Sequence, residues 1–418
     1  MSKLYIIGGN KLNGEITIPS AKNTLLPILA SCILVDGEVK INNFTNYRDC
    51  IIMTNILSSL GAKIKYEGSA VIIDCRNINE WTITTELAKE LRSSFFTLGA
   101  VLGRIGLAKV AYPGGCNIGA RPVNIHLKAL RDLGVSIIER HGYIYCNADG
   151  IKANTIHLDF PSVGATENIM MASCVINGTT IISNCAKEPE IEDLQNFLNS
   201  CGANISGAGT DTITIVGVGH LLHSTEYTCI SDRIIAGTYA IATACTGGSV
   251  KLKDANSQHL IALTNVLKNA GVNIVENKKS LHISADKRLV SVPHISTMPY
   301  PCFPTDLQSQ ILVMQAISNG NSVISENIFE SRFKVVPELK KMGAVILVKN
   351  NVAYISGVEC LYGAEVYATD LRAGASLVIA GLVANGYTTV NNVEYIDRGY
   401  LKIEEDLSKL GADIKRID

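Results

Sequence analysis

The sequence is short of charge and shows no excess of either sign. Of its 418 residues 18% are charged, with 37 Lys and Arg against 38 Asp and Glu. A nucleic-acid binder normally carries a basic excess that displaces counterions at many phosphates, so nucleic acid is not an expected partner. No Pro/Gln/Ser-rich or single-sign tract is present, which argues for a chain that is folded nearly throughout. Long apolar runs are missing as well. The main run near the start, Leu25 to Val35, is interrupted by Pro27 and Ser31 and stopped by Asp36, short of the ~20 residues that span a membrane. The first residues, Met1-Ser2-Lys3-Leu4-Tyr5, reach a glycine by Gly8 without the basic start and apolar stretch of a signal peptide. No membrane segment is expected, and the expected location is the cytoplasm.

Several chemistry-bearing patterns are absent too. Twelve cysteines are scattered singly with no CxxC pair, and eight histidines are dispersed without zinc-ligand spacing. Ala21-Lys22-Asn23-Thr24 lacks the glycine frame of a phosphate loop ending in GKS or GKT. The expectation is therefore no metal and no cofactor. With no export signal, most cysteines read as reduced and buried, acting as small hydrophobes.

What is present is a repeat. An apolar helix end, a glycine and an alternating strand recur six times, at ILSSLGAKIKY, ALRDLGVSIIE, FLNSCGANISG, VLKNAGVNIVE, LKKMGAVILVK and LSKLGADIKRI, with glycines at Gly61, Gly134, Gly202, Gly271, Gly343 and Gly411. A second phrase runs in step: a small-residue apolar helix closing on Gly37, Gly106, Gly178, Gly248, Gly320 or Gly386 before a Val/Ile/Thr-rich strand. Glycine after the last apolar turn suits a left-handed helix cap. The second set of helices, such as RIIAGTYAIATAC and RAGASLVIAGLVA, is apolar almost all round and belongs inside, whereas the first set shows one polar face. The predicted fold is α/β: two inside-out barrel domains, each of three pseudo-equivalent units with buried helices and sheets outside.

Polar groups stand at the starts of the buried helices: Lys22 and Asn23, Arg92, Ser162 with Glu167, Asp232 with Arg233, Asp306, and Asp370 with Arg372. Neighbouring loops add Arg121, Arg332 and Arg398. Equivalent places in equivalent units lie at equivalent ends, so these groups are expected to face one another across a cleft between the domains. Helix N-termini offer unpaired N–H groups and partial positive charge, and the arginines complete an anion trap. The segment Tyr112-Pro113-Gly114-Gly115-Cys116-Asn117-Ile118-Gly119-Ala120-Arg121-Pro122 places a cysteine among glycines. Such a loop is expected to be mobile, with Cys116 accessible and its thiolate favoured by Arg121. Pro122 fits the first position of the helix ending at Gly134.

These phrases, with SAKN (Ser20 to Asn23), LRSS (Leu91 to Ser94), PGGCNIGARPV (Pro113 to Val123), PSVGATENIMMA (Pro161 to Ala172), KEPEIEDLQNFLN (Lys187 to Asn199), SDRI (Ser231 to Ile234), PTDLQ (Pro304 to Gln308), ESRF (Glu330 to Phe333), DLRAGASL (Asp370 to Leu377) and DRGY (Asp397 to Tyr400), closely resemble the UDP-N-acetylglucosamine 1-carboxyvinyltransferases over the full length. These are enolpyruvyl transferases of bacterial peptidoglycan synthesis. The resemblance implies one domain at 22–229 and a second at 1–21 with 230–418. It implies metal-free transfer of the enolpyruvyl group of phosphoenolpyruvate to the 3′-hydroxyl of UDP-N-acetylglucosamine, releasing phosphate, as the first committed step of the cell wall that sustains bacterial shape and division.

By that resemblance Cys116 is the proton donor, able to form a covalent adduct with phosphoenolpyruvate and to be alkylated by fosfomycin. Lys22, Arg121 and Arg398 hold the phosphate, Arg332 and Arg372 the carboxylate region, and Asn23 also lies in the phosphoenolpyruvate site. Asp306 holds the sugar hydroxyl and acts as base; from local sequence it reads equally as the N-cap of a helix beginning at Leu307. Asn23, Arg92, Arg121, Pro122, Val123, Asn124, Ile125, Ser162, Val163, Gly164, Asp306 and the Ile328 backbone position the UDP-sugar, with Asp232 and Asp370 in support. The chain departs from the family at Asn124, where Asp is frequent, at Phe160, where some members have Lys, and at Ile235, where an acidic residue is sometimes found. A sister transferase acting on shikimate 3-phosphate usually lacks the PGGC loop. A DNA sliding clamp, also built of α/β repeats, would need a basic inner face where this chain has apolar helices.

Overall fold

The computed structural model describes residues 2–112, 118–119 and 123–417. Cys116, Arg121 and Pro122 lie outside the described residues. The chain divides into two compact units. Unit 1 takes Met1–Pro19 and Ser231–Asp418 with Ile118 and Gly119; unit 2 takes Ser20–Gly115 and Arg121–Ile230.

Each unit contains three four-stranded sheets of a single topology: a parallel pair at one edge, continued by two antiparallel strands. In unit 2, Thr225–Tyr227 runs parallel to Glu38–Ile41, followed antiparallel by Ala70–Asp74 and Lys63–Glu67. The second sheet orders Thr82–Ile83, Leu107–Ala111, Tyr143–Asn147 and Ser136–Arg140, and the third Thr155–His157, Gly178–Ser183, Thr212–Gly217 and Asn204–Ser206. Unit 1 repeats the pattern in Asn13–Thr17, Ser249–Lys253, Ser280–Ser284 and Asn273–Asn277. It does so again in His294–Thr297, Asn321–Glu326, Val352–Ser356 and Val345–Lys349, and in Glu365–Tyr367, Tyr387–Asn391, Lys3–Ile7 and Asp413–Ile417. Side chains alternate across each sheet: Val39 and Ile41 are buried beneath the first, while Glu38 is exposed.

The inner helices are α1 (Lys22–Ser31), α2 (Thr97–Ile105) and α3 (Val163–Ser173) in unit 2, and α4 (Arg233–Thr246), α5 (Gln308–Ile317) and α6 (Leu371–Val383) in unit 1. In unit 2, α2 packs on both α1 and α3; in unit 1, α4, α5 and α6 pack on one another. Every residue from Gly164 to Ser173 and from Arg372 to Leu382 is buried. Helices apolar all round are thus enclosed, as their composition predicts. The amphipathic helices, Arg48–Ser59 and Pro189–Ser200 among them, end before the six glycines of the first repeat phrase, each in the left-handed region at φ between 91° and 112°. Among the described residues, no helix is long and apolar enough to cross a membrane.

Local details differ from expectation. The glycine cap predicted at Gly248 falls one residue earlier, at Gly247 with φ 66°. Gly248 is needed for a different reason, since a Cβ there would lie 1.9 Å from the Leu12 carbonyl oxygen. The helix expected through RSSFFTLGAVLG begins as a 3₁₀ segment, Arg92–Phe96, before α2. Pro27 lies inside α1 and lacks the N–H that would bond the Asn23 carbonyl.

Candidate functional site

In unit 1 the starts of the three inner helices converge in charge. Asp232 caps α4, its carboxylate accepting from the Ile234 and Ile235 N–H groups at 2.8 and 2.9 Å. Asp370 caps α6, accepting from the Arg372 and Ala373 N–H groups at 2.9 and 3.1 Å. Asp306 behaves otherwise than its N-cap reading. It lies within the 3₁₀ turn Thr305–Leu307, and no side-chain bond caps either that turn or α5. Its two oxygens instead accept from Arg332 Nη2 at 2.7 Å and Arg372 Nη2 at 2.9 Å. The correction is physical: two nearly buried guanidiniums compete for the carboxylate and bind it more strongly than backbone N–H groups would.

Arg332 is also 3.5 Å from Asp370, so Asp306, Arg332, Asp370 and Arg372 form one network. The arginine side chains are 2% and 3% exposed and Asp306 26%, which leaves the carboxylate as the more accessible member. Burial by itself would lower the proton affinity of Arg372, but Asp306, Tyr400 and Asp232 outweigh it and hold the guanidinium charged. Thr305, beside Asp306, donates to Glu326 at 3.0 Å and accepts from Arg332 Nε at 3.3 Å. The same Glu326 accepts from the backbone N–H of Ile328 at 2.9 Å. Arg398 ends the 3₁₀ segment Val393–Arg398. The loop residue Ile118 accepts from the Ser331 N–H at 3.0 Å, next to Arg332.

In unit 2, Lys22 and Asn23 open α1, and the Lys22 ammonium lies 3.3 Å from Asp49, whose side chain is 2% exposed. Arg92 opens the 3₁₀ segment before α2 and is half-buried. Ser162 caps α3, accepting from the Ala165 N–H at 3.3 Å, and Val163 and Gly164 follow it. Val123 precedes the helix Asn124–Asp132, whose first two residues are Asn124 and Ile125. A Cβ on Gly164 would sit 2.7 Å from the His126 ring and 2.8 Å from the Phe96 ring, so a larger residue there would push both rings aside. Asn168 ties them together: its oxygen accepts from the Gly99 N–H at 2.7 Å, and its amide nitrogen donates to the Phe95 carbonyl at 3.1 Å and lies 3.0 Å from His126 Nδ1. Asn168, His126 and Glu326 were given no role from sequence. Asn168 stands in the quoted SVGATEN phrase, the one signal that could have pointed to it.

Of the eleven described cysteines, eight are buried, and Cys302 is exposed. Burial pushes the thiols of Cys75, Cys146 and Cys201 up to about 12 and Cys185 to about 11, which disfavours their thiolates. Of two surface hollows of unit 1, about 590 and 270 Å³, the first contains none of the residues predicted for the site and the second contains Arg233 alone of the helix-start groups.

Repeated sheets around enclosed helices, with arginines and carboxylates at the helix starts, define an enolpyruvyl-transferase architecture. The family model for EPSP synthase (3-phosphoshikimate 1-carboxyvinyltransferase) matches residues 6–407. The enolpyruvyl transferase NikO from Streptomyces tendae superposes with a TM-score of 0.90 at 26% identity, covering 100% of this chain and 99% of that one. The EPSP synthase of Acinetobacter baumannii, 18% identical with a TM-score of 0.76 over 100% of both chains, shares the fold. UDP-N-acetylglucosamine 1-carboxyvinyltransferase 2 of Caldanaerobacter subterraneus subsp. tengcongensis is 49% identical over 417 residues, 100% of both chains. UDP-N-acetylglucosamine 1-carboxyvinyltransferase of Geotalea daltonii is 46% identical, again over 100% of both. The chain belongs to the UDP-N-acetylglucosamine 1-carboxyvinyltransferase family of enolpyruvyl transferases.

Proposed function

We propose that this chain transfers the enolpyruvyl group of phosphoenolpyruvate to the 3′-hydroxyl of UDP-N-acetylglucosamine, the first committed step of peptidoglycan synthesis. The observation that carries the reading is end-to-end identity of 45–49% to relatives bearing that name, joined to a two-arginine carboxylate network of the kind the chemistry requires.

The reaction adds and then eliminates. A proton reaches C3 of phosphoenolpyruvate while the sugar oxygen bonds to C2 and its own proton passes to a base. The tetrahedral adduct then loses a C3 proton and inorganic phosphate. In this reading Cys116 supplies the first proton and can add to phosphoenolpyruvate covalently. Asp306 receives the hydroxyl proton, its position held by Arg332 and Arg372. Those arginines also meet the carboxylate region, while Lys22, Arg121 and Arg398 hold the phosphate and Asn23 assists. Fixed cations stabilise the charge that develops in the transition state without reorganising at the moment of reaction. Arg92, Pro122 to Ile125, Ser162 to Gly164 and Ile328 position the UDP-sugar, with Asp232 and Asp370 holding the helix starts in place. Fosfomycin is then a covalent inhibitor acting at Cys116.

The test is phosphate release in the presence of a chelator. Phosphoenolpyruvate with UDP-N-acetylglucosamine should yield phosphate, and phosphoenolpyruvate with shikimate 3-phosphate should not. Activity lost in chelator and restored by a divalent ion, or release with shikimate 3-phosphate alone, would overturn the reading.

A further inference from the structure

The Asp397-Arg398-Gly399-Tyr400 phrase places Arg398 in the reaction and leaves its neighbours without a task. Tyr400 is 1% exposed, and its hydroxyl lies in a closed set of hydrogen bonds within unit 1. It is 2.8 Å from Thr238 Oγ1, with Arg372 Nη1 at 3.2 Å and Gln310 Nε2 at 3.4 Å. The directions follow from chemistry. The Thr238 hydroxyl donates to the Ile234 carbonyl at 2.8 Å, one turn back in α4, so toward Tyr400 it accepts. A hydroxyl has one proton and two acceptor sites: Tyr400 therefore donates to Thr238, and its oxygen accepts from Arg372 and Gln310.

Two corners of the Arg372 guanidinium are thus fixed, Nη2 by Asp306 at 2.9 Å and Nη1 by Tyr400. Its Nε is buried with no hydrogen-bond partner, and its Cζ lies 5.5 Å from the centre of the Tyr400 ring. At the other end of the phrase, Asp397 accepts from both terminal nitrogens of Arg416 at 2.9 and 2.7 Å, and Arg416 is held in turn by Glu404 at 2.8 and 3.0 Å. The Gly399 and Tyr400 N–H groups both donate to the Ile396 carbonyl, at 3.1 and 3.0 Å. Arg398 is therefore carried on a turn fastened at Asp397 on one side and at Tyr400 on the other.

We propose that Tyr400 is a positioning residue for phosphoenolpyruvate, orienting Arg372 through its hydroxyl and Arg398 through the turn it anchors. This rests on the proposed function above. The ring fills the space; the hydroxyl sets the direction of the arginine. Removing the hydroxyl frees the Nη1 side of Arg372 while Asp306 stays held by Arg332 at 2.7 Å and by Arg372 Nη2 at 2.9 Å, so the loss falls on phosphoenolpyruvate rather than on the UDP-sugar.

The experiment compares wild type, Tyr400→Phe, Thr238→Val and the double variant, varying each substrate separately and recording thermal midpoints. A hydrogen bond to a charged group is commonly worth a factor of about ten or more, so Tyr400→Phe should lower kcat/KM for phosphoenolpyruvate at least about tenfold, with KM for UDP-N-acetylglucosamine held within about twofold. Thr238→Val, which removes the acceptor that aims the phenol, should show the same selectivity with a smaller loss. The double variant should be no worse than Tyr400→Phe. Unchanged kcat/KM for phosphoenolpyruvate, parallel losses for both substrates with a lowered midpoint, or losses that multiply in the double variant would each overturn the proposal. A wild-type protein that releases no phosphate would remove the functional reading itself, and the inference with it.

Discussion

Glu167 offers the sharpest test of the electrostatics inside unit 2. It lies on α3 with no exposed surface, and neither carboxyl oxygen has a hydrogen-bond partner. Burial pushes its carboxyl far above the ordinary range, and the negative charges of Glu190 and Glu188 push it further. The folded chain therefore keeps a proton that the unfolded chain releases above pH ~4.3. Since the native state binds more protons, stability from this group is intact below that pH and declines as pH rises, by up to ~1.4 kcal/mol per pH unit until the folded carboxyl titrates. Asp193 adds the same sign over a bounded window. Burial outweighs its bonds from Tyr227 and the Ile230 N–H and raises it from 3.8 to about 6, so its ~3 kcal/mol is spent by pH ~7. Above pH 7 the slope is shared by Glu167 and the buried thiols of unit 2, whose unfolded forms lose their protons at pH ~8.5, and the difference between wild type and a Glu167 variant isolates the carboxyl. Glu167→Gln keeps the shape and cannot ionise. Trp81, the single tryptophan, lies in unit 2, so its fluorescence during urea unfolding reports this unit. Between pH 7 and 8.5 the wild-type free energy should fall more steeply than that of Glu167→Gln, which keeps only the shared decline from the buried thiols, leaving the variant the more stable at pH 8.5. Equal slopes, or a variant less stable than wild type at pH 8.5, would refute the reasoning.

Arg398→Ala should cost ~2.7–4 kcal/mol in transition-state stabilisation, read as a fall of about 10²–10³ in phosphate release, with little change in urea midpoint. Lys22→Ala should show a similar catalytic loss together with up to ~3 kcal/mol of lost stability, because it removes a cation 3.3 Å from the buried Asp49; wild-type turnover in either variant would remove that residue from the site. Cys116 should be the cysteine alkylated by fosfomycin in the presence of UDP-sugar, read by mass spectrometry of the peptides. Cys302 is the exposed competitor, and label there, or an unlabelled Cys116 in active enzyme, would overturn the assignment.

The repeat was legible because it is written in local chemistry. An αL glycine after an amphipathic helix is a short-range requirement, and all six such glycines adopt it. Helices apolar around their whole circumference can only be enclosed, so the inside-out arrangement follows from composition. The closure of the sheets was not legible. Thr225–Tyr227 completes the sheet begun by Glu38–Ile41, and Lys3–Ile7 inserts between Tyr387–Asn391 and Asp413–Ile417. These pairings join segments about two hundred to four hundred residues apart, and nothing in a strand of three to five residues names its partner. The same limit explains Gly247 and Gly248: adjacent glycines serve a helix cap and a close backbone approach, and the second need comes from Leu12, far along the chain.

The site divides along the same line. Residues at helix starts were found because a charged or capping side chain after a polar turn is a local signal, as Asp232, Asp370 and Ser162 show. The residues that aim them were not found. Asn168, Glu326 and Tyr400 make their decisive bonds across the fold, to Gly99 and Phe95, to Thr305, and to Thr238 and Arg372. Asp306 shows why the distinction matters. By local rules it is an acceptable cap, but a carboxylate placed within 3 Å of two nearly buried guanidiniums has stronger donors than any backbone N–H. The arginines need it equally, since a guanidinium taken out of water without a counter-charge costs several kcal/mol. The Asp306 carboxylate and the two guanidiniums are therefore a single electrostatic unit, and a substitution at any one of them changes the charge balance of the others, so single-variant losses at Asp306, Arg332 and Arg372 should not add.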